Sequence, residues 1–130
     1  MVLPDKYLRK AYKAAMAGYQ VYDSMAPTDA EAPYLVLISI ESTPIQERCI
    51  TWNSVVTVYV FSEYQEFGGM KSVNDISQDV LTNVIDTYLT VDNFTMINTL
   101  LISSLTDVAE VGSVNIFRQV LRISHQLNPS

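Results

Sequence analysis

Reactive side chains are scarce in this chain. Cys49 is its only cysteine and His125 its only histidine. One thiol cannot close an internal disulfide, so nothing points to an oxidising compartment. One cysteine and one histidine cannot supply the four ligands of a zinc site. The glycine pair Gly68-Gly69, followed by Met70-Lys71, lacks the spaced pattern that wraps a phosphate. The longest uncharged runs, Cys49–Ser62 and Asn93–Thr106, hold 14 residues each and contain polar residues. Both fall short of the ~20 apolar residues of a membrane-spanning helix. Met1-Val2-Leu3-Pro4-Asp5 has no apolar run and does not read as a signal peptide. Basic residues number 8 against 14 acidic ones. A phosphate-binding groove needs clustered cations, so tight nucleic-acid binding is disfavoured. The expectation is a soluble chain made inside the cell, with no cofactor, no metal and no membrane partner.

What is present is a body with a core. At 130 residues the chain fits one domain, 1–130. Hydrophobic residues at 48% and charged residues at 17% exclude a disordered chain. Tyrosine occurs 8 times. Its apolar ring and polar tip suit surfaces that are wet in one state and dry in another, although partial burial within one copy is the commoner use. The net charge of −6 is unevenly spread. Residues 1–22 carry Lys6, Arg9, Lys10 and Lys13 against Asp5, residues 23–110 are strongly acidic, and Arg118 and Arg122 make the end basic again. Such asymmetry is either a plain solvated pattern or the basis of head-to-tail contact between copies.

Periodicity gives the elements. Pro4 to Ala17 reads as a helix with Leu8, Tyr12, Ala15 and Met16 on one stripe. Tyr19–Tyr22 is a short extended piece, and Asp23–Pro33 a loop. Tyr34–Glu41 is a buried strand, Ser42–Ile50 a long aperiodic loop, and Trp52–Ser62 an alternating strand with Trp52 at the sheet edge. Ser54, Val56, Val58 and Val60 share one face of it. Met70–Leu89 is a second helix, with Val73, Ile76, Val80, Val84 and Tyr88 at helical spacing. Phe94–Ser103 and Ser113–His125 are two more strands, joined through Leu105–Gly112. The economical solution is an α+β fold, a four-stranded mainly antiparallel sheet with two helices packed on one face. The other face would then show Val, Thr, Tyr and Phe and should meet another chain.

Chemistry finds no foothold in these patterns. A Cys49–His125 nucleophile pair carries no motif. Asp75 and Asp79 lie four apart on a helix, where solvated charges are the commoner reading. The chain is therefore not expected to be an enzyme, and no catalytic residue is assigned.

The order of pieces is informative as a whole. Leu8-Arg9-Lys10-Ala11-Tyr12, then Val21-Tyr22-Asp23, then Ala32-Pro33-Tyr34-Leu35-Val36-Leu37 begin the series. Val56-Thr57-Val58-Tyr59-Val60-Phe61-Ser62, Gly68-Gly69, Ile76 and Val80-Leu81 continue it, and Phe117-Arg118-Gln119-Val120-Leu121-Arg122-Ile123 ends it. This series resembles the tail-completion, or tail-terminator, proteins of long-tailed bacteriophages across almost the whole chain. The acidic middle and the weakly basic second helix depart from that family's pattern. The resemblance implies a non-enzymatic virion protein of the tail or neck, made in the host cytoplasm. It implies a homo-oligomeric ring, usually of six copies, that stops the tail tube and joins it to the head-side connector. The major tail tube protein and the connector would be its partners, and genome DNA would pass through the lumen without specific binding. Under that reading Lys6, Arg9, Lys10, Lys13, Arg118 and Arg122 are candidates for contact between copies, with Gln46, Glu47 and Arg48 in a loop that orders on assembly. Glu63, Glu66 and Asp107 are candidates for an acidic lumen that repels phosphate. The alternatives are a small non-enzymatic adaptor module and a neighbouring neck ring, or head-completion protein.

Overall fold

A computed structural model describes residues 2–45, 51–63, 71–87, 89–111 and 114–130. The glycine pair at 68–69, Cys49, Gln46, Glu47, Arg48 and Glu66 lie outside the described residues.

The first helix, α1 (Asp5–Ala15), starts where the Leu8 amide reaches the Pro4 carbonyl at 2.9 Å. Proline is tolerated there because a helix start needs no amide of its own. Leu8, Tyr12 and Met16 are almost fully buried, as the stripe requires, while the basic residues stay on the outer side. The second helix, α2 (Lys71–Leu81), continues as a π-helical segment (Thr82–Asp86). A bond from the Thr87 amide to the Thr82 carbonyl, 2.8 Å, closes that wider turn. Val73, Ile76, Val80 and Val84 keep their apolar stripe through the change of pitch. The Asn83 amide donates to the Ala15 carbonyl at 3.2 Å and ties the ends of the two helices together.

The sheet has five strands, in the order β1-β2-β3-β5-β4. They are β1 (Val21–Asp23), β2 (Tyr34–Pro44), β3 (Trp52–Glu63), β4 (Phe94–Val111) and β5 (Val114–Pro129). The α+β class with two helices on one face stands, and the count of four strands is corrected to five. The extra strand, β1, pairs parallel to β2 through Val21↔Leu35. Three residues are too few to show a period, so the sequence shows only an extended piece there. Every other pairing is antiparallel.

Parts of two expected loops, Ser42–Ile50 and Leu105–Gly112, prove to be strand. Ser42–Pro44 continues β2 against Ser54–Trp52, and Ser42 Oγ hydrogen-bonds to Ser54 Oγ at 2.7 Å. Leu105–Val111 continues β4, in register with β5 down to Val111↔Val114. These stretches lack apolar alternation, but a long partner strand satisfies their backbone groups. Trp52 opens β3 as read, yet β3 is a central strand and the indole is buried, not at an edge.

Both helices cover the face that carries Val56, Val58 and Val60 of β3 and Leu121, Ile123 and Leu127 of β5, all fully buried. The opposite face is not left open along its whole length. Residues 24–33 fold back over it, and Ala26, Ala30 and Ala32 pack on Tyr34, Val36, Phe61 and Ile116. Replacing Leu121 by Ala in this core is expected to cost 2–5 kcal/mol of unfolding free energy, about what a buried leucine loses to transfer and cavity terms. Urea unfolding of the variant measures it.

Candidate assembly surface

Exposed apolar side chains gather on one strand. Ile97, Leu100, Leu101, Ile102, Leu105 and Val108, all on β4, are between 42% and 58% exposed. β4 is a sheet edge, paired with β5 alone among the described residues. Cross-strand partners share a face of the sheet. Leu101 and Val108 stand opposite Ile123 and Phe117, on the helix-covered face. Leu100 and Leu105 stand opposite Ser124 and Val120, on the other face. Ile97 and Ile102 fall at the two register shifts of the strand. Apolar surface thus flanks the edge on both sides. Natural edges are usually blunted by lysine, proline or shortness. β4 runs 18 residues without Lys, Arg or Pro, and apart from its two bulges its protection is confined to Asp107 and Glu110 near one end.

The uncharged stretch from Asn93 to Thr106 is visible in the sequence, but its exposure is not. Alternation alone makes a sheet strand look half-buried whichever position it takes. The open face keeps exposed apolar groups on its β4 side, Leu100 and Leu105, and Leu101 and Val108 carry the apolar surface round the edge to the other face.

Three of the four basic residues of α1 pair, at the surface, with acids of their own chain. Lys13 Nζ lies 2.5 Å and Arg9 Nη1 3.4 Å from the Asp23 carboxylate, and Lys10 Nζ lies 2.7 Å from Asp92. The hydrogen bond from Lys13 holds the Asp23 carboxyl below its usual range. Lys6 sits over the ring of Tyr7, 5.0 Å from its centroid. Arg118 makes two hydrogen bonds to Asp107, 2.9 and 2.6 Å, and lies over the Tyr59 ring at 5.1 Å. A contact candidate and a lumen candidate are therefore one ion pair in the β4–β5 hairpin. Arg122 is exposed on β5, and Glu63 is exposed at the end of β3. Asp79 accepts a 2.5 Å hydrogen bond from the Tyr19 hydroxyl, whose pKa is pushed up to about 12 chiefly by that bond. Because the Arg118–Asp107 pair is partly solvated, Arg118→Ala is expected to cost no more than about 1 kcal/mol in thermal or urea unfolding.

His125 gives no sign of its role in the sequence. It is fully buried on β5, between Ser54 of β3 and Thr99 of β4 in register. Its Nε2 meets the Tyr12 hydroxyl from α1, and its Nδ1 lies 3.0 Å from Thr99 Oγ1. Thr99 Oγ1 in turn donates to Met96 Sδ at 3.3 Å. One assignment satisfies the whole chain: Tyr12 O–H donates to Nε2, and Nδ1–H donates to Thr99. The imidazole is then neutral, and burial lowers its pKa to about 4. Burial also raises the Tyr12 hydroxyl well above its ordinary value. Nε2 serves the joint between α1 and the sheet, and Nδ1 ties β5 to β4 within it.

Among the described residues no group of three or more His, Cys, Asp or Glu comes together to hold a metal ion. No helix among them is long and apolar enough to cross a membrane.

No family model matches the chain, and no curated protein matches it. The fold does have a solved counterpart. A chain of the "Virion of native gene transfer agent (GTA) particle" superposes with a TM-score of 0.66 at 13% identity. The likeness covers 95% of this chain and 90% of that one. It establishes a shared fold over nearly the full length of both.

Proposed function

We propose that this chain is a structural protein of a phage-like virion, acting by assembly and not by catalysis. The observation that carries the reading is the end-to-end fold likeness to a virion chain, 95% of one against 90% of the other. The β4 edge supports it, since a strip of this length and apolarity suits a protein that is finished only by contact with other chains. The order of sequence pieces favours one position within the particle. The chain forms a closed ring, of six copies by the family resemblance, that caps the tail tube and joins it to the head-side connector. Its partners are copies of itself, the major tail tube protein and the connector. Genome DNA passes through the lumen.

The acidic balance of the chain fits a lumen that does not hold DNA. Glu63 and Glu66 remain candidates for its lining, whereas Asp107 is paired with Arg118 and adds little net negative charge there. For contacts between copies, Arg122 and Lys6 are better candidates than Arg9, Lys10 and Lys13, whose charges face Asp23 and Asp92 of their own chain. Gln46, Glu47, Arg48 and Arg118 complete the candidate contact set.

Deleting the gene tests the reading. The expected result is particles whose filled heads and tails fail to join, with tails of uncontrolled length, restored by supplying the chain in trans. Normal, infectious particles without the chain would overturn it. A chain that instead serves as an adaptor would leave particle architecture intact and be missing from purified virions.

A further inference from the structure

The β4 edge is too long and too apolar to stay uncovered, and the chain itself says what fits it. We infer that the free protein is a two-fold dimer joined by antiparallel pairing of β4 with the β4 of a second copy.

The first argument is length. An 18-residue strand is about 60 Å long at the usual rise. The sheet's other edge offers the three residues of β1 and the stretch of β2 from Ile38 to Pro44 beyond it, well short of β4's 18 residues, so it leaves much of β4 bare. Within the chain, the strand that matches β4 and still has an open edge is β4 itself. The second argument is that apolar groups flank the edge on both faces. Leu100 and Leu105 stand on one face, Leu101 and Val108 on the other. A partner lying against one face would leave the other wet. A strand laid beside the edge covers both, and it also pairs the outward backbone N–H and C=O groups.

The third argument is area. A strip about 60 Å long and about 10 Å thick presents roughly 600 Å² per copy, or about 1,200 Å² for the pair, the lower bound of a specific interface. The fourth is charge. β4 carries Asp107 and Glu110 near one end and no charge from residue 94 to 106. Antiparallel pairing about a point near Ile102 sends the acidic ends of the two strands apart. It joins two chains of net charge −6 along their uncharged stretch. Parallel pairing in register would set Asp107 beside Asp107 and Glu110 beside Glu110, which like charges disfavour.

The inference goes beyond the ring reading. In a ring of one polarity each contact joins two different surfaces, so no two-fold axis relates neighbours. The dimer must then open for a ring to close, which keeps rings from closing away from the tail.

The test is the mass of the purified full chain by size-exclusion chromatography with light scattering at about 100 μM, well above a micromolar dissociation constant. The expected mass is twice the chain's 14.6 kDa. The pair Leu100→Lys and Leu105→Lys changes two exposed positions, so the fold is expected to hold and dimerisation to weaken about 100-fold or more. Because that variant's folding is itself a variable, a second measurement runs in a Cys49→Ser background. Single cysteines are placed in turn from Leu100 to Ser104. Oxidation should link copies at one or two adjacent positions near the axis and not at the others. A wild-type monomer, a dimer untouched by the folded lysine variant, or even cross-linking along the strand would each overturn the inference. Particle architecture after gene deletion decides the ring reading separately, so the two can fail independently.

Discussion

Acidifying the protein from pH 7 to pH 4.5 is expected to remove about 2 kcal/mol of its stability through His125 alone. The direction follows from where the imidazole titrates. In the fold its pKa is lowered to about 4 from an ordinary 6.5, because burial disfavours the charged form. Between those values the unfolded chain binds a proton that the folded chain refuses, so stability falls as pH falls. The His125 contribution is complete above about pH 6.5 and exhausted below about pH 4. Asp23 and Asp107, both held low by hydrogen bonds from basic partners, act in the same direction but only near and below the ordinary carboxylate range. Urea unfolding at pH 7 and pH 4.5 separates the two sources. His125→Leu should be nearly flat across that window while the wild type drops. Parallel curves for the two proteins would contradict the assignment.

Tyr12→Ala is expected to be the most damaging single change in α1, at about 3–5 kcal/mol. The ring is fully buried between α1 and the sheet, with the His125 imidazole edge-on to it at 5.5 Å between centroids. Truncation leaves a cavity and also leaves Nε2 of a buried imidazole without its donor. Tyr12→Phe isolates the second loss, expected to be about 1–3 kcal/mol, the penalty of an unsatisfied buried polar atom. Against a total of 5–15 kcal/mol for a typical domain, the alanine variant approaches the unfolding threshold and the phenylalanine variant does not. Thermal unfolding of both, monitored by circular dichroism, checks the order. Equal losses would show that the hydroxyl carries the whole effect and the ring none.

These residues also show what the sequence makes legible. β3 could be read directly, because Ser54, Val56, Val58 and Val60 alternate with half-buried neighbours in a strand covered on one face. The helix stripes through Leu8, Tyr12 and Met16 and through Val73, Ile76, Val80 and Val84 were equally plain. What escaped was whatever depends on a distant partner. β1 is a strand only because Leu35 to Leu37 lie beside it. Leu105–Val111 is a strand only because β5 runs the full length of the hairpin. The π-helical turn at Thr82–Asp86 leaves the apolar stripe intact, so no pattern announces it. His125 reads as an isolated residue in the sequence, and its partners come from positions 113 and 26 residues away.

The candidate assembly surface is half legible in the sequence. The uncharged run from Asn93 to Thr106 is evident, but an edge and a central strand look alike until the strand order is known. The charge asymmetry is legible too, and it leaves open a plain solvated pattern or contact between copies. In the fold most of the α1 cations meet acids of their own chain, which leaves the apolar β4 edge as the stronger candidate for contact between chains.

The most direct test of the account is a cryo-electron microscopy reconstruction of the purified particle at the head–tail junction. The account predicts a closed ring of this fold seated on the last tube layer, with the β4 strips covered by protein. Particles complete at that junction but without this chain would contradict it.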